Sequence, residues 1–282
     1  MRSNAHTLKE YGRGTVGGLL FSLSIVYTME MWQAGYILAP EKLLVNVMAT
    51  FGLLLGYNTF SGIHDGHTFW EVCRESVEEI GLAFLVTLCF LLLIDRVEFS
   101  MSFYEIAGKT IVETMIVAIG ISVGTEQLGS EASQNSASSG DSHPSSSRPT
   151  RAYFRMLSLS VCGAVLFIAP VASTEEILLM AVECSTVQLL IMVVVSVLLA
   201  LVTLFYSDFR GTVNGDADLR KMASHVIAVY MMSLLTAWMF LWFYGNLDGY
   251  GLQIIVGKII ILGIPGTVGA SAGRLLLRSN NE

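Results

Sequence analysis

Six ionisable side chains set in apolar surroundings are the candidates for chemistry in this chain: Glu30, Lys109, Glu113, Glu175, Glu176 and Lys258. An ionisable group deep in a membrane helix is costly unless paired or hydrated, so each marks a candidate site. With a first helix starting near Val16, a rise of about 1.5 Å per residue puts Glu30 roughly 21 Å into a hydrocarbon core of about 30 Å. A fourth helix entering from the outer side near Phe103 puts Lys109 about 9 Å down, at the same depth. Glu105, Lys109 and Glu113 are spaced four apart and share one helical face, which cannot point at lipid. Carboxylates so placed can hold a cation or a proton. Lysines beside them compete with a cation, which favours proton-coupled exchange or an anionic substrate. The same residues also suit a plainer role as Glu–Lys pairs that staple helices, and Glu175 and Glu176 also suit an exposed loop. Thr28 and Thr174, each two residues before Glu30 and Glu176, are placed to hydrogen-bond these carboxylates.

The elements that must position these groups are written twice. Tyr57-x-x-Phe60-x-Gly62-x-x-Asp65-Gly66 recurs 149 residues later as Tyr206-x-x-Phe209-x-Gly211-x-x-Asn214-Gly215. Gly108-Lys109 returns at the same offset as Gly257-Lys258, and Gly120-x-Ser122-x-Gly124 as Gly269-x-Ser271-x-Gly273. At an offset of 146, Gly17-x-x-Leu20-Phe21 and Thr28-x-Glu30 fall on Gly163-x-x-Leu166-Phe167 and Thr174-x-Glu176. Internal duplication of a membrane unit is frequent in transporters. The copies differ at the candidate site: Leu262 stands for Glu113, and Pro265 three residues on is expected to kink its helix. The glycine pairs four apart allow close helix approach, with packing at a pseudo-twofold axis as the expectation.

Composition points to a membrane. Hydrophobic residues make up 53% and charged ones 14% of the 282 residues, against roughly 25% charged in an average soluble domain. Mean hydropathy is +0.62, and the polar residues are bunched. Eight stretches approach the ~20 apolar residues of a spanning helix: 14–37, 43–61, 77–95, 103–124, 155–179, 185–207, 222–244 and 251–273, with Trp70–Val77 as an interfacial turn before the third. The predicted fold is therefore all-α, a polytopic transmembrane helical bundle of about eight spans in two parallel four-helix repeats. Its segments are an N-terminus over 1–13, a first repeat over 14–124, a Ser-rich flexible linker over 125–150, a second repeat over 151–274 and a C-terminus over 275–282. The run after Arg13 carries Glu30, lacks a small-x-small cleavage site and matches the fifth stretch, so it is expected to be retained rather than cleaved as a signal peptide.

Lysine and arginine set orientation. Arg2, Lys9, Arg13, Arg74, Arg148, Arg151, Arg155, Arg210, Arg220, Lys221, Arg274 and Arg278 fall on one side, and only Lys42, Arg96, Lys109 and Lys258 toward the other. Both termini are accordingly expected in the cytoplasm. Trp32, Tyr36, Trp238, Trp242, Tyr244 and Tyr250 fall toward the outer interface, as anchoring rings do. Four cysteines give no disulfide framework. His64 and His67 lie in a loop without a third ligand, so no metal and no cofactor is expected.

There is no HExxH, GxSxG, Walker loop or strand-borne GxGxxG, and no basic stripe interleaved with aromatics. Enzymatic function and nucleic-acid binding have no support. Tyr27-Thr28-Met29-Glu30-x-Trp32 and Thr174-Glu175-Glu176 resemble a family of bacterial integral membrane proteins of unknown function, over about residues 10–275, with the serine linker as a local departure. The resemblance implies a bacterial inner-membrane location and adds no activity, substrate or cofactor. The expected function is an ion or small-solute transporter or channel that works through membrane-embedded carboxylates. Its partners would be the lipid bilayer and an inorganic ion or small solute, and its Gly-rich faces would allow a homodimer. The alternatives are a membrane-embedded scaffold or sensor and an intramembrane enzyme.

Overall fold

Every regular element is an α-helix among the residues that the computed structural model describes, namely 12, 14–20, 28–61, 68–98, 100–134, 149–208 and 219–278. Contacts divide the chain into two units, Met1–Ser158 and Leu159–Glu282.

In the first unit, residues 14–20 are helical, and Thr28 is extended ahead of α1 (Met29–Ile37). Extended Leu38 ends α1, and Pro40 opens α2 (Pro40–Ser61) at the first helical position, where its missing N–H costs nothing. Next comes α3 (Phe69–Leu93), whose start is set by Thr68: its backbone N–H donates to Glu71 Oε2 at 2.9 Å. The helix therefore begins eight residues before the predicted span at 77, and Trp70–Val77 is helix rather than interfacial turn. The turn after α3 needs a left-handed residue at Asp95, φ 61°, and closes with the Arg96 N–H on Leu91 O at 2.9 Å. Then α4 (Phe103–Gln134) starts at Ser102, whose hydroxyl accepts the Glu105 N–H at 3.3 Å. It continues ten residues past the predicted end at 124, because Glu126, Gln127, Glu131 and Ala132 are strong helix formers beyond the apolar stretch.

Packing makes α4 the hub of this unit, against α1, α2 and α3. From Gly108 to Gly124 it is buried at every position but Ile111, and a helix apolar on all sides belongs in a core. The close approaches run through glycine. A Cβ on Gly17 would collide with the backbone of Gly124, and one on Gly108 with the Gly35 carbonyl.

The second unit is entered by α5 (Pro149–Ala172), which begins in the first. After Ser173–Glu175 the chain bends by 86° into α6 (Glu176–Glu183). It continues as α7 (Thr186–Asp208), α8 (Leu219–Phe243) and α9 (Leu252–Arg278). Here α9 packs against α6, α7 and α8. The turn after α8 has Gly245 at φ 77° and the Asn246 N–H on Leu241 O at 2.8 Å. A Cβ on Gly269 would strike the Gly163 carbonyl. The Gly-x-x-x-Gly faces thus pack within each unit against its opening helix. Pro265 sits inside continuous α9.

Among the described residues, five helices are long and apolar enough to cross a membrane: Phe69–Leu93, Phe103–Thr125, Thr186–Thr203, Ala223–Phe243 and Leu252–Ala272. The bent pair Met156–Ala172 and Glu176–Glu183 makes a sixth if taken as one span. On α7, Val187, Leu190, Ile191, Val194 and Leu198 are exposed, as suits lipid. None of the four cysteines forms a disulfide among the described residues. His64, His67, Arg210, residues 135–148 of the linker and the chain ends lie outside the described residues.

Candidate functional site

The α1–α4 contact builds the first half of the site. Trp32 and Tyr36 are four apart on α1 and share a face. The glycine contact between Gly35 and Gly108 brings that face onto α4 beside Lys109, and the Tyr104 hydroxyl, donating to Leu38 O at 2.6 Å, pins the end of α1. Lys109 is 3% exposed. Its Nζ donates to Glu105 Oε1 at 2.8 Å and to Arg96 O at 3.1 Å, with Met101 Sδ at 3.4 Å. It also lies 5.8 Å from the Trp32 ring centroid and 5.7 Å from that of Tyr36. A lysine ammonium has three donors, so this one is fully engaged. The Arg96 guanidinium also packs on the indole, 5.0 Å from its centroid.

One turn along α4, about 6 Å deeper, stands Glu113. It is 1% exposed, and both carboxyl oxygens are buried without a hydrogen-bond partner among the described residues. Hydroxyl and amide groups on α4 and α2 bond to backbone carbonyls instead. Thr110 and Thr114 hydroxyls donate to Ile106 O and Thr110 O at 2.8 and 2.7 Å, Thr50 to Asn46 O at 2.7 Å, and Asn46 Nδ2 to Ile111 O at 2.9 Å. Lys109 sits between Glu105 and Glu113 in the helix register and pairs only with the first.

Lys258 in α9 is 1% exposed. Its Nζ donates to Asn246 O at 2.8 Å and lies 3.6 Å from the Tyr250 ring centroid. Asn246 also reaches with Nδ2 to Ala172 O at 2.9 Å, tying the α8–α9 turn to the end of α5 where the chain bends. Lys258 has no acidic neighbour one turn back on its own helix, because Ile254 occupies the place that Glu105 holds in the first unit.

The two predicted cross-helix pairs, Glu30 with Lys109 and Glu176 with Lys258, do not form. The reason is the break ahead of each short helix. Thr28 and Ser173–Glu175 interrupt what the apolar pattern reads as continuous spans, so Glu30 and Glu176 fall in the first turns of α1 and α6. Acidic side chains are favourable at a helix N-terminus. Glu30 is half-buried there, Glu175 and Glu176 are exposed, and among the described residues none of the three makes an ion pair. The structure thus gathers Lys109, Glu105 and Glu113 on α4 without an ion pair to Glu30, while Glu175, Glu176 and Lys258 belong to the second unit.

Sequence reasoning missed two features. Trp32 and Tyr36 face Lys109 instead of serving only as interfacial anchors, and their spacing of four was the available signal. Glu79, which by pattern only marks the start of a span, lies within α3 and accepts from Asn58 Nδ2 at 2.8 Å. Among the described residues no group of three or more His, Cys, Asp or Glu could hold a metal ion.

Residues 10–277 match the model of a family described as "Putative integral membrane protein (DUF2391)". No curated protein matches the chain, and no solved structure does. The chain belongs to this family of integral membrane proteins.

Proposed function

From that membership, we propose that this integral membrane protein is a transporter or channel for an inorganic cation, a proton or another small solute, with Glu113 as the exchanging group. One observation carries the reading: both oxygens of Glu113 are buried and, among the described residues, unpartnered. A carboxyl taken out of water without a partner is costly. An exchangeable cation or proton relieves that cost, and a group that must gain and lose such a partner is what ion passage needs. Lys109 leaves the position open, because Glu105 and Arg96 O hold its ammonium one turn away.

The transporter reading includes a duplicated architecture of eight passes in two parallel four-helix repeats. Matching details support it. Both units have a short helix after a break, a left-handed turn residue at Asp95 or Gly245, and a buried lysine donating to the next residue's carbonyl, Arg96 or Asn246. Discontinuous helices of this kind recur around transporter binding sites. The basic residues favour both termini in the cytoplasm, and the family resemblance implies an inner-membrane location. In this reading the protein is not an enzyme, and Glu30 of the first unit and Glu175, Glu176 and Lys258 of the second are accessory to Glu113.

A scaffold reading draws on the Lys109–Glu105 pair, which is satisfied as it stands and staples the α3–α4 turn to α4. Proteoliposome flux separates the two. Wild type and Glu113→Gln, matched for monodispersity, are loaded against gradients of protons, alkali cations and halides. Flux that vanishes in the folded variant supports transport through Glu113. Absence of flux for every ion in wild type refutes it and favours the scaffold.

A further inference from the structure

A second polar cluster lies on the other side of α4. Glu79 of α3 accepts from Asn58 Nδ2 of α2 at 2.8 Å, and the same amide lies 3.2 Å from Ser76 Oγ. The Ser122 hydroxyl of α4, which donates to Ala118 O at 3.3 Å, also lies beside the Glu79 carboxylate. Ser122 is nine residues beyond Glu113, about 13 Å along the helix and two and a half turns round it, so the two carboxylates face opposite sides of α4. Three helices therefore converge one carboxylate, one amide and two hydroxyls.

We propose that Glu79, Asn58, Ser76 and Ser122 form a second site, which binds one partly dehydrated monovalent alkali cation of the sodium class. The donor chemistry selects the ligand. All available donors are hard oxygens once the Asn58 amide turns to present Oδ1, and no thiolate or imidazole belongs to the cluster to favour a transition metal. A single carboxylate at the centre matches a single positive charge. Among the described residues Glu79 has no ion pair, and the nearest basic residue along its helix, Arg74, is engaged with Glu78 at 3.2 Å. Glu75 and Glu78, on the same helix, add negative charge nearby.

The second unit argues against a purely structural role. Aligning the matching turns at Leu91 and Leu241 puts Val226 and Val229 at the places of Ser76 and Glu79, both buried. Helices of the same order thus pack without the polar pair. Ser271, the counterpart of Ser122, is left buried with its hydroxyl unpartnered among the described residues. This alignment rests on the duplication; the cluster's geometry does not.

The test is thermal unfolding of the purified full chain in nanodiscs, titrated with NaCl, LiCl or KCl against choline chloride at constant ionic strength. Saturable stabilisation by sodium or lithium beyond choline is expected in a Glu113→Gln background, and is abolished when Glu79→Gln is added. Ser122→Ala keeps the charge and fold while removing one oxygen, and should weaken the apparent sodium affinity about tenfold. Stabilisation equal in choline, or unchanged in a folded Glu79→Gln, overturns the site. If Glu79→Gln does not fold, an unchanged sodium affinity in Ser122→Ala overturns it. Because the readout is binding, a failed flux assay leaves this result independent of the Glu113 reading.

Discussion

The Lys109–Glu105 pair makes a prediction that runs against treating its two members as equivalent. The Lys109 side chain is 4% exposed and that of Glu105 33%, at 2.8 Å. At an effective dielectric of about 20, the gross attraction at that distance is about 6 kcal/mol. Glu105→Gln removes it while leaving a buried ammonium with Arg96 O, Met101 Sδ and two ring faces, so part of the loss is retained as uncompensated charge. Allowing for water reaching the partly exposed carboxylate, the expected net cost is about 2–3 kcal/mol. Lys109→Met removes the buried charge itself, fills similar volume, and leaves a carboxylate that water can reach; its expected cost is below about 1 kcal/mol. The double variant should resemble Lys109→Met, since the two effects are coupled. Tryptophan fluorescence during thermal unfolding in one detergent, reported in part by Trp32 beside the lysine, gives the ordering directly. A Lys109→Met variant less stable than Glu105→Gln would refute the argument that burial decides the asymmetry.

Three further outcomes follow from the geometry. Glu113→Gln should keep the midpoint of unfolding within about 1 kcal/mol of wild type or raise it, because no partner is orphaned; a loss of several kcal/mol would reveal a bond the carboxyl makes. Gly108→Ala should destabilise by about 2 kcal/mol or more through backbone collision with Gly35, whereas Gly257→Ala, whose Cβ would meet Ala181 Cβ at an ordinary 3.4 Å, should be tolerated; equal effects in denaturation would contradict the packing described. Lys258→Met should be neutral or stabilising, since it removes a buried charge without a carboxylate, and marked destabilisation in the same assay would show that its bonds to Asn246 and Tyr250 outweigh the cost of burying it.

The membrane character and the helical class were legible without tertiary structure because hydropathy is a local sum: an apolar run such as Val187–Leu204 needs no partner to identify it. The register of Lys109 and Glu113 on one face was legible for the same reason, being a matter of helical spacing alone. Which charges meet was not. By pattern Glu30 and Glu176 belong to continuous spans, and nothing in the apolar lettering around Thr28 or Ser173-Thr174 marks a break strongly enough to move them to helix starts. Lys109 pairs with Glu105 because the α3–α4 turn, shaped by Asp95, delivers the Arg96 carbonyl to the same ammonium. The Glu79 cluster depends on residues from 58 to 122 meeting across three helices. Pattern along the chain determined what kind of protein this is; the breaks and glycine contacts decided which of its buried charges are satisfied and which, like Glu113, have no partner among the described residues.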